Sequence, residues 1–331
     1  MDDELERETS ALLGQLKAAP PAAARERAFA ALQREFAAIH SAPRHDAVSR
    51  RARPRGAWAA AVAALAVAGA WYTARPLPIV AQVETLDGVV EASGARWFQG
   101  SVKVAEGARI RTGQVITAPG YGSVLLRISP DLTVRLDAGA EARFRAADEL
   151  ELGFGDAYVD ATPGANAPLR IVTPHGVVSH LGTQYLVSTD REHVEVAVRE
   201  GRARFVSDGG ATAVAEAGHW LSLRKGEAAT HAGALDANDT RFDWIGKVPT
   251  PFHLDGASLA AFLSWFHRET GLTPTYRGDI DAEHFAQVKL RGSIDNLDPL
   301  EALSYVLATA DLAWHREGAD IVIEKRPAAG T

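Results

Sequence analysis

One uncharged segment constrains this chain more than any other feature. Residues 56–74, GAWAAAVAALAVAGAWYTA, contain no charged side chain. As a helix they would span about 28 Å, close to the ~30 Å hydrocarbon core of a bilayer. We therefore predict one transmembrane helix, with aromatic rings and arginines anchoring its two ends. The predicted anchors are Arg55, Trp58, Trp71 and Arg75.

Two other interpretations of this segment stay open. Alanine is only weakly hydrophobic, so residues 56–74 could instead form a buried alanine-rich helix. A cleaved signal peptide is less favoured, because the preceding charged region is far longer than the ~15–30 residues of a whole ordinary signal.

Charge asymmetry predicts the orientation of the helix. Several arginines precede it closely, whereas Arg75 stands alone just after it. Positively charged flanks stay in the cytoplasm. We therefore expect a single-pass protein of the cell inner membrane, with a cytoplasmic N-terminus and periplasmic C-terminal domains.

Residues 1–55 form the predicted cytoplasmic helical segment. Apolar residues recur there at spacings of three and four, which is typical of one face of a helix. A segment this short has little core of its own. The stripe therefore either packs on another helix or docks into a partner protein. The third possibility is that the segment is an inert stalk next to the membrane. The stripe consists of Phe29, Leu32, Phe36 and Ile39.

Residues 80–224 change to short β runs separated by Gly, Asp or Pro. Val194, Val196 and Val198 alternate with charged or small neighbours, which is typical of a half-buried strand. Strand runs recur at intervals of about 8–12 residues. This pattern predicts an all-β domain, built as a sandwich, a barrel or a β-solenoid.

The stretch TPHGVVSHLGTQYLVSTD, residues 173–190, crowds groups that could carry chemistry. Ser179 and His180 are neighbours on a predicted strand, so their side chains should point to opposite faces. We expect His175 and Asp190 to lie tens of Å apart, at opposite ends of that strand. The stretch therefore predicts a turn between strands rather than a hydrolytic site.

Other chemistry is also disfavoured. His175, His180 and His193 lack the spacing and flanking carboxylates typical of zinc ligands, and the chain has no cysteine. A sequence pI near 5.9 gives no reason to expect a nucleic-acid partner. We expect no catalytic residues, no metal and no cofactor, hence no enzyme.

The C-terminal region combines helices with strands. Leu259, Phe262 and Phe266 lie on one helical face, and Asp298 with Glu301 forms a predicted capping box at a second helix. The pattern predicts an α+β domain of two strand–helix–strand halves at residues 241–327, after a flexible linker at residues 225–240.

The β region resembles the periplasmic domain of the FecR family. The resemblance is carried by VETLDGVVEAS, GARIRTGQVITAPGYGSVLLRIS, LTVRLDAGAEARF, LRIVTPHGVVSHLGTQYLVSTD and VEVAVREGRARF, in that order. It implies a membrane-spanning regulator that senses on the periplasmic side and controls an extracytoplasmic-function sigma factor inside. The motif residues, for which we expect structural roles, are Thr173, Pro174, Gly176, Gly182, Thr183 and Gly201.

The C-terminal region resembles the short N-terminal domain of secretins and TonB-dependent transducers. The resemblance rests on FHLDGASL, then TGL, then LRGSIDNLDPLEAL. It implies contact with a TonB-dependent outer-membrane transducer, in iron or other nutrient uptake. We expect free sheet edges at LAWHREG and DIVIEK to receive that partner, and we expect deletion of residues 241–331 to leave a stable protein.

The sequence thus indicates a multidomain signal transducer: a short cytoplasmic α segment, one transmembrane helix, an all-β domain and a C-terminal α+β domain. The alternative function is a membrane-tethered periplasmic protein that binds a ligand or serves as a scaffold, without sigma regulation.

Overall fold

The computed structural model describes most of the chain beyond residue 76. All described residues belong to one compact unit, Arg75–Thr331. The described residues are 77–94, 100–162, 169–180, 184–227, 229–236, 239–278, 283 and 287–326.

Several sequence predictions fall outside these residues, namely the cytoplasmic segment 1–55, the transmembrane helix 56–74 and two motif residues. Within the described ranges, no helix is long and apolar enough to cross a membrane. The site residues outside the described part of the chain are Phe29, Leu32, Phe36, Ile39, Arg55, Trp58, Trp71, Arg75, Gly182 and Thr183.

A mostly β domain follows, as the alternating pattern predicts. Seventeen strands of the described chain are hydrogen-bonded to one another. They are β1 (Ile79–Asp87), β2 (Glu91–Ala92), β3 (Val102–Lys103), β4 (Arg109–Arg111), β5 (Val115–Thr117), β6 (Ser123–Ser129), β7 (Leu132–Leu136), β8 (Glu141–Ala146), β9 (Glu149–Ala161), β10 (Arg170–Thr173), β11 (Gly176–His180), β12 (Gln184–Thr189), β13 (His193–Glu200), β14 (Arg202–Ser207), β15 (Thr212–Glu216), β16 (His219–Arg224) and β17 (His231–Ala234).

The strands form two sheets that share β9. Sheet A has the order β4-β1-β6-β7-β9-β12-β13-β16-β17. Sheet B has the order β3-β2-β5-β8-β9-β10-β11-β14-β15, with only β9 and β10 parallel. The first half of β9 pairs with β8 in sheet B, and its second half pairs with β7 and β12 in sheet A.

One apolar core lies between the two sheets. Val134 and Val196 of sheet A belong to the same buried cluster as Phe144, Ile171 and Phe205 of sheet B. Because side chains alternate along a strand, each sheet sends every second residue into this core. We call this mostly β domain, with one core between its two sheets, the sandwich.

A small α+β region follows the sandwich. It contains a 3₁₀ helix (Thr240–Lys247), α1 (Leu259–Thr270), β18 (Thr273–Tyr276), α2 (Pro299–Thr309), β19 (Leu312–Glu317) and β20 (Asp320–Lys325). The capping box of Asp298 and Glu301 is present at α2, as predicted. Leu259, Phe262 and Phe266 are buried in the core of this region, also as predicted.

Two details of this region differ from the sequence prediction. The first strand of each predicted half is reduced to a single bridge between Ser258 and Lys289. The small sheet has the order β18-β20-β19, so DIVIEK lies in its centre and only LAWHREG supplies an edge. The prediction for DIVIEK was wrong because β20 pairs on both sides, with β18 in parallel and with β19 antiparallel.

The predicted linker at residues 225–240 is also partly structured. It contains β17, which pairs with β16 from His219↔Ala234 to Ser222↔His231. This pairing satisfies main-chain groups of β16 that would otherwise lie at the edge of sheet A.

Candidate functional site at the interface of the two domains

The outer face of sheet A is covered by the C-terminal region. Tyr158, Leu186 and Ala197 point away from the sandwich core and form a second apolar cluster with the 3₁₀ helix. From that helix, Trp244 and Ile245 pack onto the sheet. Both faces of sheet A are therefore covered here, and its central strands β7 and β12 are buried at nearly every position.

An arginine at the centre of this covered face forms a buried ion pair. Arg135 of β7 lies on the opposite side of its strand from the core residue Val134. Its Nη2 donates to Oε2 of Glu269 on α1 at 2.5 Å, and both side chains are 1% exposed. Its Nε donates to the carbonyl oxygen of Val248 at 2.9 Å, and its Nη2 also donates to Oγ1 of Thr250 at 3.0 Å.

Sheet A also satisfies the C-terminal end of α1. The last carbonyl groups of a helix lack partners within the helix. Nε2 of Gln184 donates to the carbonyl oxygen of Arg268 at 3.1 Å, and Nη1 of Arg199 donates to the carbonyl oxygen of Glu269 at 3.2 Å. A cation near a helix C-terminus also interacts favourably with the helix dipole. The β domain thus provides the polar cap that this end of α1 requires.

Further charged contacts surround the central pair. Arg268 donates from Nε to Oδ2 of Asp160 at 3.1 Å and forms a second, shorter bond to the other carboxylate oxygen. The guanidinium of Arg199 lies 4.6 Å from the ring centroid of Phe242 and 5.5 Å from that of Tyr158. These contacts join strands β9 and β13 to α1 and the 3₁₀ helix.

Burial dominates the electrostatics at the centre of the interface. Desolvation raises the pKa of Glu269, and the charge of Arg135 opposes that rise. Desolvation also raises the pKa of Tyr158 to about 12, again against the effect of the neighbouring arginines. The ionised form of Glu269 thus depends on Arg135, so the pair acts as one unit.

A histidine contact lies at the rim of the same interface. His267 of α1 approaches Glu200 of β13, with 3.6 Å between Nε2 and Oε1, while Nδ1 contacts the carbonyl oxygen of Leu272 at 2.9 Å. The contact with Glu200 raises the pKa of His267, while desolvation and, less strongly, the charge of Arg199 lower it. The bond to His267 in turn lowers the pKa of Glu200.

This rim contact predicts a pH dependence of stability. A histidine whose pKa is higher in the folded state stabilises the fold fully below its unfolded pKa, and it loses that contribution as pH rises through the folded pKa. We expect the difference in free energy of unfolding between the wild type and Glu200→Gln to be larger at about pH 6 than at about pH 8. Urea unfolding at both pH values measures it, with His253→Gln, a change at an exposed histidine, as the control. A difference that grew toward pH 8 would contradict the assignment.

The sequence stretch at residues 173–190 forms the predicted turn, but its course afterwards differs. β10 and β11 form a hairpin closed by the pair Thr173↔Gly176. Nε2 of His175 lies 2.8 Å from the carbonyl oxygen of Asp190, so the expected separation of tens of Å was wrong. The chain does not continue as one strand, because β11 belongs to sheet B and β12 to sheet A.

The described motif residues lie in or next to turns between strands. Oγ1 of Thr173 donates to the carbonyl oxygen of Gly176 at 2.9 Å, and the amide of His175 donates to Oγ1 of Thr173 at 3.2 Å. A Cβ on Gly176 would lie 2.3 Å from the carbonyl oxygen of Val206. Gly201 turns the chain between β13 and β14 with φ of 74°, which favours glycine. Pro174 stands in the turn itself.

Two clefts border the interface. The first has a volume of about 690 Å³ and is lined by Arg199, Phe242 and Leu272, among others. The second has a volume of about 550 Å³ and includes Glu84 and Trp265 in its lining. Among the described residues, no group of three or more His, Asp or Glu side chains is arranged to hold a metal ion.

These observations define a class: a two-sheet β sandwich joined through a buried ionic interface to a small α+β region. Residues 108–204 match the family described as FecR protein. They extend from just before β4 into β14, so the chain contains a FecR domain within its sandwich.

Two crystal structures of a "putative anti-sigma factor" from Parabacteroides distasonis are similar to the chain at 15% and 16% identity, each with a TM-score of 0.34. Each comparison covers 64% of this chain and 98% of the other. No curated protein matches the chain.

Proposed function

We propose that this protein is a single-pass inner-membrane signal transducer of the FecR type. It relays a periplasmic signal from a TonB-dependent outer-membrane transducer to an extracytoplasmic-function sigma factor, in iron or other nutrient uptake. The observation that carries the proposal is the FecR match of residues 108–204. The uncharged segment 56–74 and the arginines before it support the membrane topology.

In this proposal the cytoplasmic contact is made by the apolar stripe of residues 1–55. Truncating Phe36 to alanine removes a buried aromatic anchor, so we expect sigma binding to weaken by more than ~1 kcal/mol. Binding of residues 1–55 to the cognate sigma factor in a pull-down and by calorimetry measures the change. Arg25→Ala is the control, because a charge at the rim chiefly alters the association rate.

Two results would count against this contact. If binding is unchanged when Phe29 and Phe36 are both replaced by alanine, the stripe packs internally instead. If residues 1–55 bind no sigma factor, the alternative function, a tethered ligand-binding or scaffold protein, replaces the transducer.

The periplasmic contact is assigned to the edge strand β19. In the described chain β19 pairs only with β20, antiparallel from Leu312↔Lys325 to Glu317↔Asp320. The amide of Arg326 donates to the carbonyl oxygen of Asp311 at 3.1 Å, so Asp311 and Arg326 form a hydrogen-bonded pair next to the ladder. Because bonded pairs alternate along an antiparallel ladder, the main chain of Leu312 and Trp314 is directed toward the open side. A partner strand can add there by main-chain hydrogen bonds.

Replacing Trp314 tests this contact with a matched pair. Trp314→Pro removes an outward N–H as well as the indole, whereas Trp314→Ala removes the indole alone. We expect the proline variant to bind the periplasmic signalling domain of the transducer at least about tenfold more weakly than the alanine variant. Equal affinities, measured by calorimetry with the full chain, would place the contact elsewhere.

In this proposal the signal passes from β19 to the sandwich through the interface on sheet A. α1 belongs to the same small core as β19, and its last turn is held by Arg135, Gln184 and Arg199 of the sandwich. A partner bound at β19 can change the cytoplasmic contact only if it binds the two signalling states with different affinity.

A further inference from the structure

The last strand of sheet B, β15, has an unusual edge. Residues 211–215, ATAVA, carry no charge, and the side chain of Val214 is 54% exposed. Thr212, Val214 and Glu216 alternate with the more buried Ala213 and Ala215. The exposed face of β15 therefore carries a polar, an apolar and an acidic side chain, from Thr212, Val214 and Glu216 in that order.

The main chain of these three residues is directed toward the open side. β15 pairs with β14 in the register Arg204↔Val214. Just beyond one end of this ladder, the amide of Ser207 donates to the carbonyl oxygen of Ala211 at 2.9 Å. Just beyond the other end, the amide of Ala217 donates to the carbonyl oxygen of Gly201, also at 2.9 Å. Because bonded pairs alternate, Ala213 and Ala215 bond to β14, while Thr212, Val214 and Glu216 present N–H and C=O groups away from it.

Apart from β19, which the proposed function assigns to the transducer, the other described sheet edges carry features that discourage strand pairing. Natural edges are protected by charges, by proline or by shortness. β3 contains Lys103, β4 contains Arg109 and Arg111, β18 contains Pro274, and β17 has four residues including Gly233. β15 has none of these protective features except Glu216 at its end. This indicates an edge that pairs with another strand.

We propose that β15 pairs with β15 of a second copy of this chain, antiparallel about a two-fold axis at Val214. The outward groups are self-complementary in this register, because Val214 faces the partner's Val214 and Thr212 faces the partner's Glu216. Each facing pair exchanges two main-chain hydrogen bonds, about six in all. Sheet B then continues across both copies. The inference goes beyond the proposed function and does not depend on it.

The charges and side chains on the exposed face favour this occupant. The two Glu216 carboxylates lie at opposite ends of the paired strands, about 14 Å apart, so like charges do not face each other. Each Glu216 instead lies opposite Thr212 of the partner copy, whose hydroxyl can donate to the carboxylate. The two Val214 side chains form the apolar centre.

The absence of cysteine from the chain makes a direct test possible. Val214→Cys places two thiols on facing residues with Cα atoms about 5.5 Å apart, within the ~4.4–6.8 Å that a disulfide spans. In Thr212→Cys the equivalent Cα atoms are about 14 Å apart. We expect mild oxidation of the purified full chain to give at least about fivefold more disulfide-linked dimer for Val214→Cys than for Thr212→Cys.

Two further variants check register and association. A mixture of Thr212→Cys and Glu216→Cys chains is expected to cross-link, because these residues face each other. Val214→Lys places like charges opposite each other, so we expect at least about a tenfold loss of dimer for the purified full chain, with Val214→Thr as the control.

Equal cross-linking of Val214→Cys and Thr212→Cys would overturn the proposal, since it would indicate random collision. A wild-type chain that is monomeric by sedimentation, or a Val214→Cys chain that cross-links to a different protein, would overturn it as well.

Discussion

Glu269→Gln is expected to lower the free energy of unfolding by about 3–5 kcal/mol, because it leaves a buried guanidinium without its counter-charge. Arg135 and Glu269 are each 1% exposed, so water cannot replace the lost carboxylate. Glutamine has nearly the same shape, so the loss reports charge rather than packing. Urea unfolding of the full chain, followed by tryptophan fluorescence, measures it.

Two controls separate this effect from a general loss of ion pairing. Glu317→Gln removes the partner of Arg277 in an exposed pair of similar length, 2.8 Å between Nη2 and Oε2, and should change stability far less. Replacing Arg135 by Met and Glu269 by Leu together should recover most of the loss, because apolar residues of similar volume often substitute for a buried ion pair. A Glu269→Gln chain as stable as the wild type would mean that Arg135 finds another partner.

The same pair bears on how a signal could cross the molecule. Separating α1 from sheet A would break the ion pairs of Arg135, Asp160 and Glu269 together. Any of these charges that stayed buried without its partner would be costly. The described C-terminal region and the sandwich also fall within one compact unit. On the proposed function, a partner at β19 would therefore move or hold the two domains as one body, which favours rigid-body transmission over separation of the domains.

The sequence predicts the elements of this fold better than their contacts. Alternation at Val194, Val196 and Val198 predicts β13, and the Asp298–Glu301 capping box predicts the start of α2, because both signals are local. The break between β11 and β12 was missed because both runs favour strand, and only the pairing with different sheets separates them.

The buried ion pair was missed for a similar reason. In LTVRL, Arg135 occupies a position that an ordinary half-exposed strand would direct to water, and nothing nearby indicates that α1 covers it. Glu269 did carry a signal. It lies three residues after Phe266 and continues the helical stripe of Leu259, Phe262 and Phe266, where a carboxylate indicates a buried partner.

Deleting residues 241–331 should destabilise the protein by more than about 5 kcal/mol or cause aggregation, contrary to the stable product expected from the sequence. The deletion uncovers Tyr158 and Leu186 on the outer face of sheet A, both now at most 2% exposed. Burial of one such side chain contributes about 1.5–3 kcal/mol. Arg135 would also lose Glu269 and both acceptors from the segment around Thr250.

A second stop position makes the prediction sharper. A chain ending after Thr250 keeps the 3₁₀ helix, with Trp244 and Ile245 on sheet A, and keeps the acceptors of Arg135 at Val248 and Thr250. It should therefore be more stable than the chain ending after Thr240 by at least ~2 kcal/mol, measured by urea unfolding, although both lack Glu269. Equal stability of the two chains, or a chain ending after Thr240 that is as stable as the full protein, would show that the cover over sheet A contributes little. If the two shortened chains do differ in stability, loss of signalling on deletion of the C-terminal region would reflect damage to the sandwich. Point variants at β19 are then the proper test of whether that strand receives the signal.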